Sequence, residues 1–203
     1  MSSTKRTIIP LMLLGDSQVG KTSLTLALTK NQFEDSVLTT LGKESYMHQI
    51  YLHGEKLKMK IWDTAGQERF KSMSVSVIKT VEGLVLVYSI TNQLTFQNLE
   101  TWLKQLQDVT DISKKPIIIV GNKSDLIDSR EVSYEEGEKF AKEHGYKFFE
   151  TSAKNGTNVQ EAFNEIFEQL YTLLEKEIKG IEEYKNDSIK IKRKDKKNGK
   201  KFC

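Results

Sequence analysis

The run Gly15-Asp16-Ser17-Gln18-Val19-Gly20-Lys21-Thr22 sets two glycines, a lysine and a hydroxyl in the pattern G-x-x-x-x-G-K-[ST]. Glycines let the backbone turn its N–H groups toward an anion, and a helix N-terminus adds its positive end. Lys21 would reach the outer phosphates of a nucleotide, and the Thr22 hydroxyl is a hard ligand for Mg²⁺. The pattern carries weight only between a strand and a helix. Here Ile8–Leu14 is apolar apart from Pro10, and Lys21–Lys30 is helix-prone. A chance glycine-rich turn is the poorer explanation, so Gly15 to Ser23 reads as a binding loop for a nucleoside triphosphate.

Three further clusters sharpen the chemistry. In Trp62-Asp63-Thr64-Ala65-Gly66-Gln67-Glu68-Arg69-Phe70, Asp63 at the end of a strand can hold Mg²⁺ through water. Gly66 can offer its N–H to a γ-phosphate, and Gln67 can orient an attacking water. Asp-x-x-Gly alone is a common turn; one hairpin after the phosphate loop it becomes informative. In Asn122-Lys123-Ser124-Asp125, the Asp125 carboxylate can accept from the N1–H and exocyclic amine of guanine, a donor pair adenine lacks on that edge. Thr151-Ser152-Ala153-Lys154 can present backbone N–H to the guanine O6. Both tetrapeptides follow candidate strands, where ligands of open α/β sheets bind. Together they select GTP over ATP.

The elements that must position these groups are short apolar runs alternating with amphipathic stretches, an α/β pattern with a mostly parallel sheet. Candidate strands are Ile8–Leu14, Ser45–His53, Lys56–Trp62, Leu84–Ile90, Ile117–Val120 and Lys147–Glu150. The second and third flank His53-Gly54-Glu55 and read as an antiparallel hairpin. Pro10, lacking an N–H, belongs near the beginning of its strand. Phe96, Leu99, Trp102, Leu103, Leu106 and Val109 keep helical spacing, as do Val159, Ala162, Phe163, Ile166, Phe167, Leu170, Leu173 and Leu174. Their aromatic members are read as core. Ser133 with Glu136 forms a capping box for a helix running to about His144.

The chain has 203 residues, room for one domain plus an appendage. No apolar run approaches the ~20 residues of a bilayer span, and the N-terminus lacks a signal-peptide core. Residues 185–203 hold nine Lys/Arg and two Asp, a net +7, whereas the remainder carries 22 basic against 26 acidic groups, a net −4. A basic tail on a mildly acidic body suits an anionic surface. The single cysteine, Cys203, rules out an internal disulfide and fits a reducing compartment. The body has no basic surface excess or aromatic-interleaved basic motif, so nucleic acid is not an expected partner. His48, His53 and His144 pair with no other metal-ligand candidate.

On these motifs the chain resembles a small GTPase of the Ras superfamily, and Trp62 to Phe70 is the signature of its Rab branch. The resemblance spans roughly residues 7–178; Lys58-Met59-Lys60-Ile61-Trp62-Asp63-Thr64 and Leu86-Val87-Tyr88-Ser89-Ile90-Thr91 share it. It implies a six-stranded, mostly parallel sheet with one antiparallel strand and about five helices. The G domain would be 1–179 and a flexible polybasic membrane-targeting tail 180–203. It implies that Phe33 packs on the guanine ring and that Lys123 and Lys154 lie along the base. Thr40, preferred to Thr39 because the family writes Thr-apolar-Gly here, would complete the Mg²⁺ shell with Thr22 and Asp63 and contact the γ-phosphate. Catalysis would rest on Gln67, Lys21 and Thr40. Two loops, about 34–44 and 64–80, would be ordered by the γ-phosphate and relax after slow hydrolysis. Implied partners are an exchange factor, an activating protein, a GDP-dissociation inhibitor or escort protein, and effectors, for a monomer on the cytosolic face of an intracellular membrane, cycling with the cytosol. A GTP-binding adaptor with little hydrolysis is the alternative.

Three departures from the family pattern stand out. Gln18 replaces a small residue and would either crowd the γ-phosphate or point to solvent. The family's exposed aromatic triad maps to Ser45, Trp62 and Val77, so only one ring remains, and effectors of ordinary relatives are expected to bind poorly. Cys203, implied to be prenylated, stands alone where the family ends in two cysteines or Cys-x-Cys, and no Cys-a-a-X box is present.

Overall fold

The computed structural model describes residues 8–30, 43–64 and 75–176, without the side chains of 43, 44, 64, 75 and 76. The expected contacts of Phe33, Thr39, Thr40, Gly66, Gln67 and Cys203, the bulk of the loops 34–44 and 64–80, and the 179/180 boundary all lie outside the described residues.

Six strands form one sheet: β1 (Ile8–Leu14), β2 (Lys43–Leu52), β3 (Glu55–Thr64), β4 (Gly83–Ser89), β5 (Ile117–Asn122) and β6 (Lys147–Thr151). Their order across the sheet is β2-β3-β1-β4-β5-β6. Only β2 is antiparallel, pairing with β3; the β1–β3, β1–β4, β4–β5 and β5–β6 pairs are parallel. The described helices are α1 (Lys21–Lys30), α2 (Val75–Thr80), α3 (Gln93–Val109), α4 (Tyr134–Glu143) and α5, which is helical from 159 to the end of its unit at Phe167. The chain divides into two compact units, Met1–Phe167 and Glu168–Cys203. The described part of the second, 168–176, is helical.

β4 and β5 are buried along their whole length, as continuous apolar runs with helices on both faces require. One face of the sheet packs Met12, Leu14, Leu84, Leu86, Ile117 and Ile119 against Ile78 of α2, Leu99, Trp102, Leu103 and Leu106 of α3, and Ala141 of α4. On the other face α1 buries Leu24, Leu26 and Leu28, and α5 buries Ala162, Phe163, Ile166 and Phe167. The His48 ring of β2 stacks on Phe167 with centroids 6.2 Å apart. The apolar stripe of α3 is the one its spacing gives, and its start is fixed by Asn92, whose side chain accepts from the N–H of Leu94 and Thr95. Ser133 and Glu136 close the expected capping box on α4, with His144 as C-cap.

The strands overrun their apolar cores. β3 continues to Thr64, β5 to Asn122 and β6 to Thr151, because the ladder carries on through the pairs Ser89↔Asn122 and Asn122↔Thr151 although the hydrophobic pattern has stopped. The hairpin turn is tighter than the sequence suggests. Glu55 pairs with Leu52, leaving His53 and Gly54 as a two-residue loop with φ of 49° and 78°, the positive values that a type I′ turn requires. Pro10 is third in β1, where its carbonyl accepts from Glu82 N–H at 2.8 Å. The N–H and C=O of one strand residue face the same side, so its missing donor faces β4, whose ladder begins only at Leu11.

Replacing Asn92 by alanine removes the side-chain acceptor of the Leu94 N–H, while the Thr95 N–H keeps the Asn92 backbone carbonyl at 3.2 Å, and should cost about 1 kcal/mol. Urea unfolding should show that loss as a lower midpoint with an unchanged slope.

Candidate functional site

Every chemically suggestive cluster within the described residues lies at the carboxyl end of a parallel strand. β1 leads into the 15–22 loop, β3 ends at Asp63 and Thr64, β5 ends at Asn122, and β6 ends at Thr151. The chain leaves β1 toward β3 on one side and β4 on the other. That reversal of strand order is where open α/β sheets leave a crevice for a ligand.

Two glycines permit the loop its shape. Gly15 has φ 141°, and a β-carbon there would collide with the Val87 carbonyl, so only glycine lets the loop leave β1 this close to β4. Gly20 has φ 97° and a β-carbon would strike the Asn122 side-chain amide. The Gly20 carbonyl accepts from Leu24 N–H at 2.9 Å, opening α1 directly beneath the loop. Gln18 adopts φ 63°, a left-handed conformation that costs a non-glycine residue about 1 kcal/mol. Its side chain is exposed.

Lys21 is 5% exposed, and its ammonium donates to the carbonyls of Gly15 at 2.8 Å and Asp16 at 2.7 Å. Burial pulls its pKa down to about 8, against the opposing pull of Asp63 and Asp16. A phosphate chain beside it would supply the counter-charge that the protein alone provides only in part. Asp63 is fully buried and accepts from the Thr22 hydroxyl at 2.5 Å. Two hard oxygens, one a carboxylate, thus meet where β3 ends and α1 begins. The donor set suits Mg²⁺, which binds one or two protein oxygens and completes its shell with phosphate and water. Among the described residues no cluster of three or more His, Cys, Asp and Glu offers an all-protein cage.

Asn122 joins the 151–154 segment to the 15–22 loop. Its Nδ2 donates to the Val19 carbonyl at 2.9 Å, while its Oδ1 accepts from the Thr151 hydroxyl and the Ala153 N–H, each at 3.2 Å. Ser124 N–H adds a bond to the Thr151 carbonyl at 3.0 Å. The Ser152 hydroxyl donates to Asp125 Oδ1 at 2.5 Å and so orients that carboxylate. Lys123 takes φ 70° and is half-buried, with its pKa lowered by burial against the pull of Asp125. Lys154 is exposed. Farther out, Arg130 forks both oxygens of Glu150, at 2.5 and 2.8 Å, and clamps the segment after Asp125 to β6.

The structure therefore gathers Lys21, Thr22 and Asp63 at one end of the crevice, and Asn122, Lys123, Asp125, Ser152 and Ala153 at the other. The Ala153 N–H, expected to face a base oxygen, serves the Asn122 bridge here. The Asp16 side chain turns from the loop toward α3, accepting from Asn98 Nδ2 at 2.6 Å and Trp102 Nε1 at 2.8 Å. Neither α3 residue was singled out in the sequence except Trp102 as core. The usable signal was chemical, since a buried indole N–H demands an acceptor.

A phosphate loop, a hydroxyl–carboxylate pair and a tied pair of base-side loops on this sheet define a nucleotide-binding α/β domain of the small G type. The Ras family model matches residues 10–172. Ras-related protein Rab-8B of Homo sapiens is 39% identical over 180 residues, covering 88% of this chain and 86% of the relative. Ras-related protein Rab-8A of Bos taurus is 37% identical over 194 residues, 94% of this chain and 92% of the relative. Ras-related protein Rab-13 of Mesocricetus auratus is 38% identical over 159 residues, 78% of each chain. The chain belongs to the Ras family, in its Rab branch. It is a GTP-hydrolysing small GTPase of membrane trafficking, and the adaptor alternative is not favoured.

The depressed Lys21 pKa has a signed consequence. Between about pH 8 and 10.5 the unfolded chain keeps a proton that the nucleotide-free fold has released, so this group adds stability as pH rises through that window. Below pH 8 the fold carries the penalty in full. Lys21→Met removes the term. The stability difference between variant and wild type, both nucleotide-free, should therefore move in favour of wild type from pH 8 to 10, by up to roughly 3 kcal/mol. Parallel pH curves for the two proteins would contradict the assignment.

Proposed function

We propose that the chain is a molecular switch in which a magnesium–guanine nucleotide spans the crevice from Lys21 to Asp125. The observation that carries this reading is Asn122, whose single amide links the loops for phosphate and for base. The backbone of residues 15–20, with Lys21, Thr22 and Ser23, would cradle the phosphates, helped by the N-terminus of α1. Phe33, Lys123 and Lys154 would enclose the base; Asp125 would accept its two N–H donors, and a backbone N–H of the 151–154 segment would meet its O6. Thr22, Asp63 and Thr40 would hold Mg²⁺, which when bound neutralises charge on the β- and γ-phosphates. Lys21 would stabilise the γ-phosphate oxygens as charge develops on them, with Gly66 donating its N–H. Gln67 and Thr40 would orient the attacking water.

No residue of the sequence is identified as an arginine finger in cis, so a separate activating protein would supply one, an effect worth about 10³–10⁵ in rate in this class. The worked example behind that range is Ras, a relative. An exchange factor, a GDP-dissociation inhibitor or escort protein, and effectors would complete the cycle of a monomer. The reduced aromatic triad bears on the effectors. Ser45 is exposed opposite Trp62, whose ring is already covered by Lys60 Nζ at 4.0 Å, and Val77 is half-buried against the core. Effectors that need three rings would bind weakly. Among the described residues no helix is long and apolar enough to cross a membrane. Prenylated Cys203 with the basic tail 180–203 would hold the protein to the cytosolic face of an intracellular membrane, since one lipid chain alone anchors only marginally.

Purified protein with Mg²⁺ should bind GTP and GDP and ignore ATP; equal binding of adenine and guanine nucleotides would overturn the proposal. Asp125→Asn replaces one acceptor with a donor facing the guanine amine, and should weaken GTP by at least a hundredfold in competition titrations. Gln67→Leu should leave GTP binding intact and abolish hydrolysis accelerated by an activating protein in single-turnover assays.

A further inference from the structure

An aspartate second in a phosphate loop is an electrostatic liability, because it puts a carboxylate next to the place where a polyanion must sit. The Asp16 backbone belongs to the phosphate site, since its carbonyl accepts from Lys21. Its charge reaches the same lysine through space. What the side chain does is therefore consequential, and two residues of α3 decide it. Asn98 and Trp102 are four apart, on one face of the helix, and each donates to a different oxygen of the carboxylate, at 2.6 and 2.8 Å. Trp102 is anchored in the core at 6% exposure, so its indole N–H is a fixed donor rather than a wandering one. Asn98 is half-buried beside it, and α3 as a whole is held by its packing on β4 and α2.

We propose that Asn98 and Trp102 are positioning residues for nucleotide binding: they hold the Asp16 carboxylate on the α3 side of the phosphate loop. The loop then offers Lys21 and its backbone N–H groups to the phosphates with the Asp16 charge turned away from them. The proposal rests on the reading that residues 15–22 bind the phosphates, and it adds a route by which anything that shifts α3 alters nucleotide affinity. Repulsion is what the pair relieves, so the effect depends on the charge of Asp16 and not merely on packing.

The test is a double-mutant cycle on the full chain, read as GDP and GTP dissociation rates and equilibrium affinities. Trp102→Phe keeps a ring in the core and removes the donor; Asn98→Ala removes the second donor at a half-buried position with little packing loss. Each should weaken nucleotide binding on the order of tenfold and speed release, the size expected for losing a hydrogen bond to a charged group. In an Asp16→Asn background, where no charge remains to be held, the same substitutions should cost less than threefold. Thermal unfolding of the nucleotide-free forms, run in parallel, should show no such rescue. Losses of equal size in both backgrounds would mean that the α3 residues act through packing alone, and the proposal would fall. Wild-type protein that binds no guanine nucleotide at all would instead bring down the phosphate-site reading beneath it.

Discussion

A polyanionic ligand confronts a protein with a constraint that precedes any chemistry: the groups that bind it must be held together before it arrives. In this chain the burden falls on the amide of Asn122, buried at the end of β5 and 1% exposed. One side chain with two donors and two acceptor sites is bonded to Val19 in the 15–22 loop, to Thr151 at the end of β6 and to Ala153 just after it. In a dry site such bonds are strong when made and expensive when missing. Loops that would otherwise drift independently are thus fixed to one another, and the crevice keeps its width.

Charge is handled by the same economy of position. Lys21 is buried where its ammonium is costly, which depresses its pKa, and it leans meanwhile on two carbonyls of its own loop. The arrangement stores an unmet need for negative charge that a phosphate would satisfy. Asp63, the opposite pole, is buried against the Thr22 hydroxyl and forms with it a small oxygen site. Asp16, whose charge would spoil the balance, is turned outward onto α3. The polarity of the crevice therefore comes from three carboxylates placed differently: Asp63 buried against Thr22, Asp125 held by Ser152, and Asp16 turned onto α3.

The sheet supplies the rigidity these arrangements need. Strands β4 and β5 are buried on both faces, and the ladder runs through Ser89, Asn122 and Thr151, past the apolar core and into the site itself. Asp63, Asn122 and Thr151 project from strand ends, Lys21 and Thr22 from the first turn of α1, and Lys123, Asp125 and Ser152 from the loops that directly follow β5 and β6. The edge hairpin β2–β3 is differently made: its inner face is covered while Met47 and Tyr51 stand exposed on the outer one. The Lys60 ammonium over Trp62 gives that face a cationic, partly masked character unlike an open aromatic patch.

Local patterning by itself determined the succession of six strands along the chain, the amphipathic stripe of α3, the capping box of α4 and the residues of the four candidate motifs. Each is written in residues within a few positions of one another, where periodicity, capping and glycine chemistry act. What the linear chain left undecided is everything that depends on partners far apart in number. The extension of β5 and β6 into polar residues needed the neighbouring strand, and the two-residue turn at His53-Gly54 needed the register of β2 on β3. The bonds from Asn122 to Val19, and from Asp16 to Asn98 and Trp102, span 103, 82 and 86 residues. No local rule reaches that distance. Only packing of the helices on the sheet brings those groups within hydrogen-bonding range, and burial then makes the pairing obligatory.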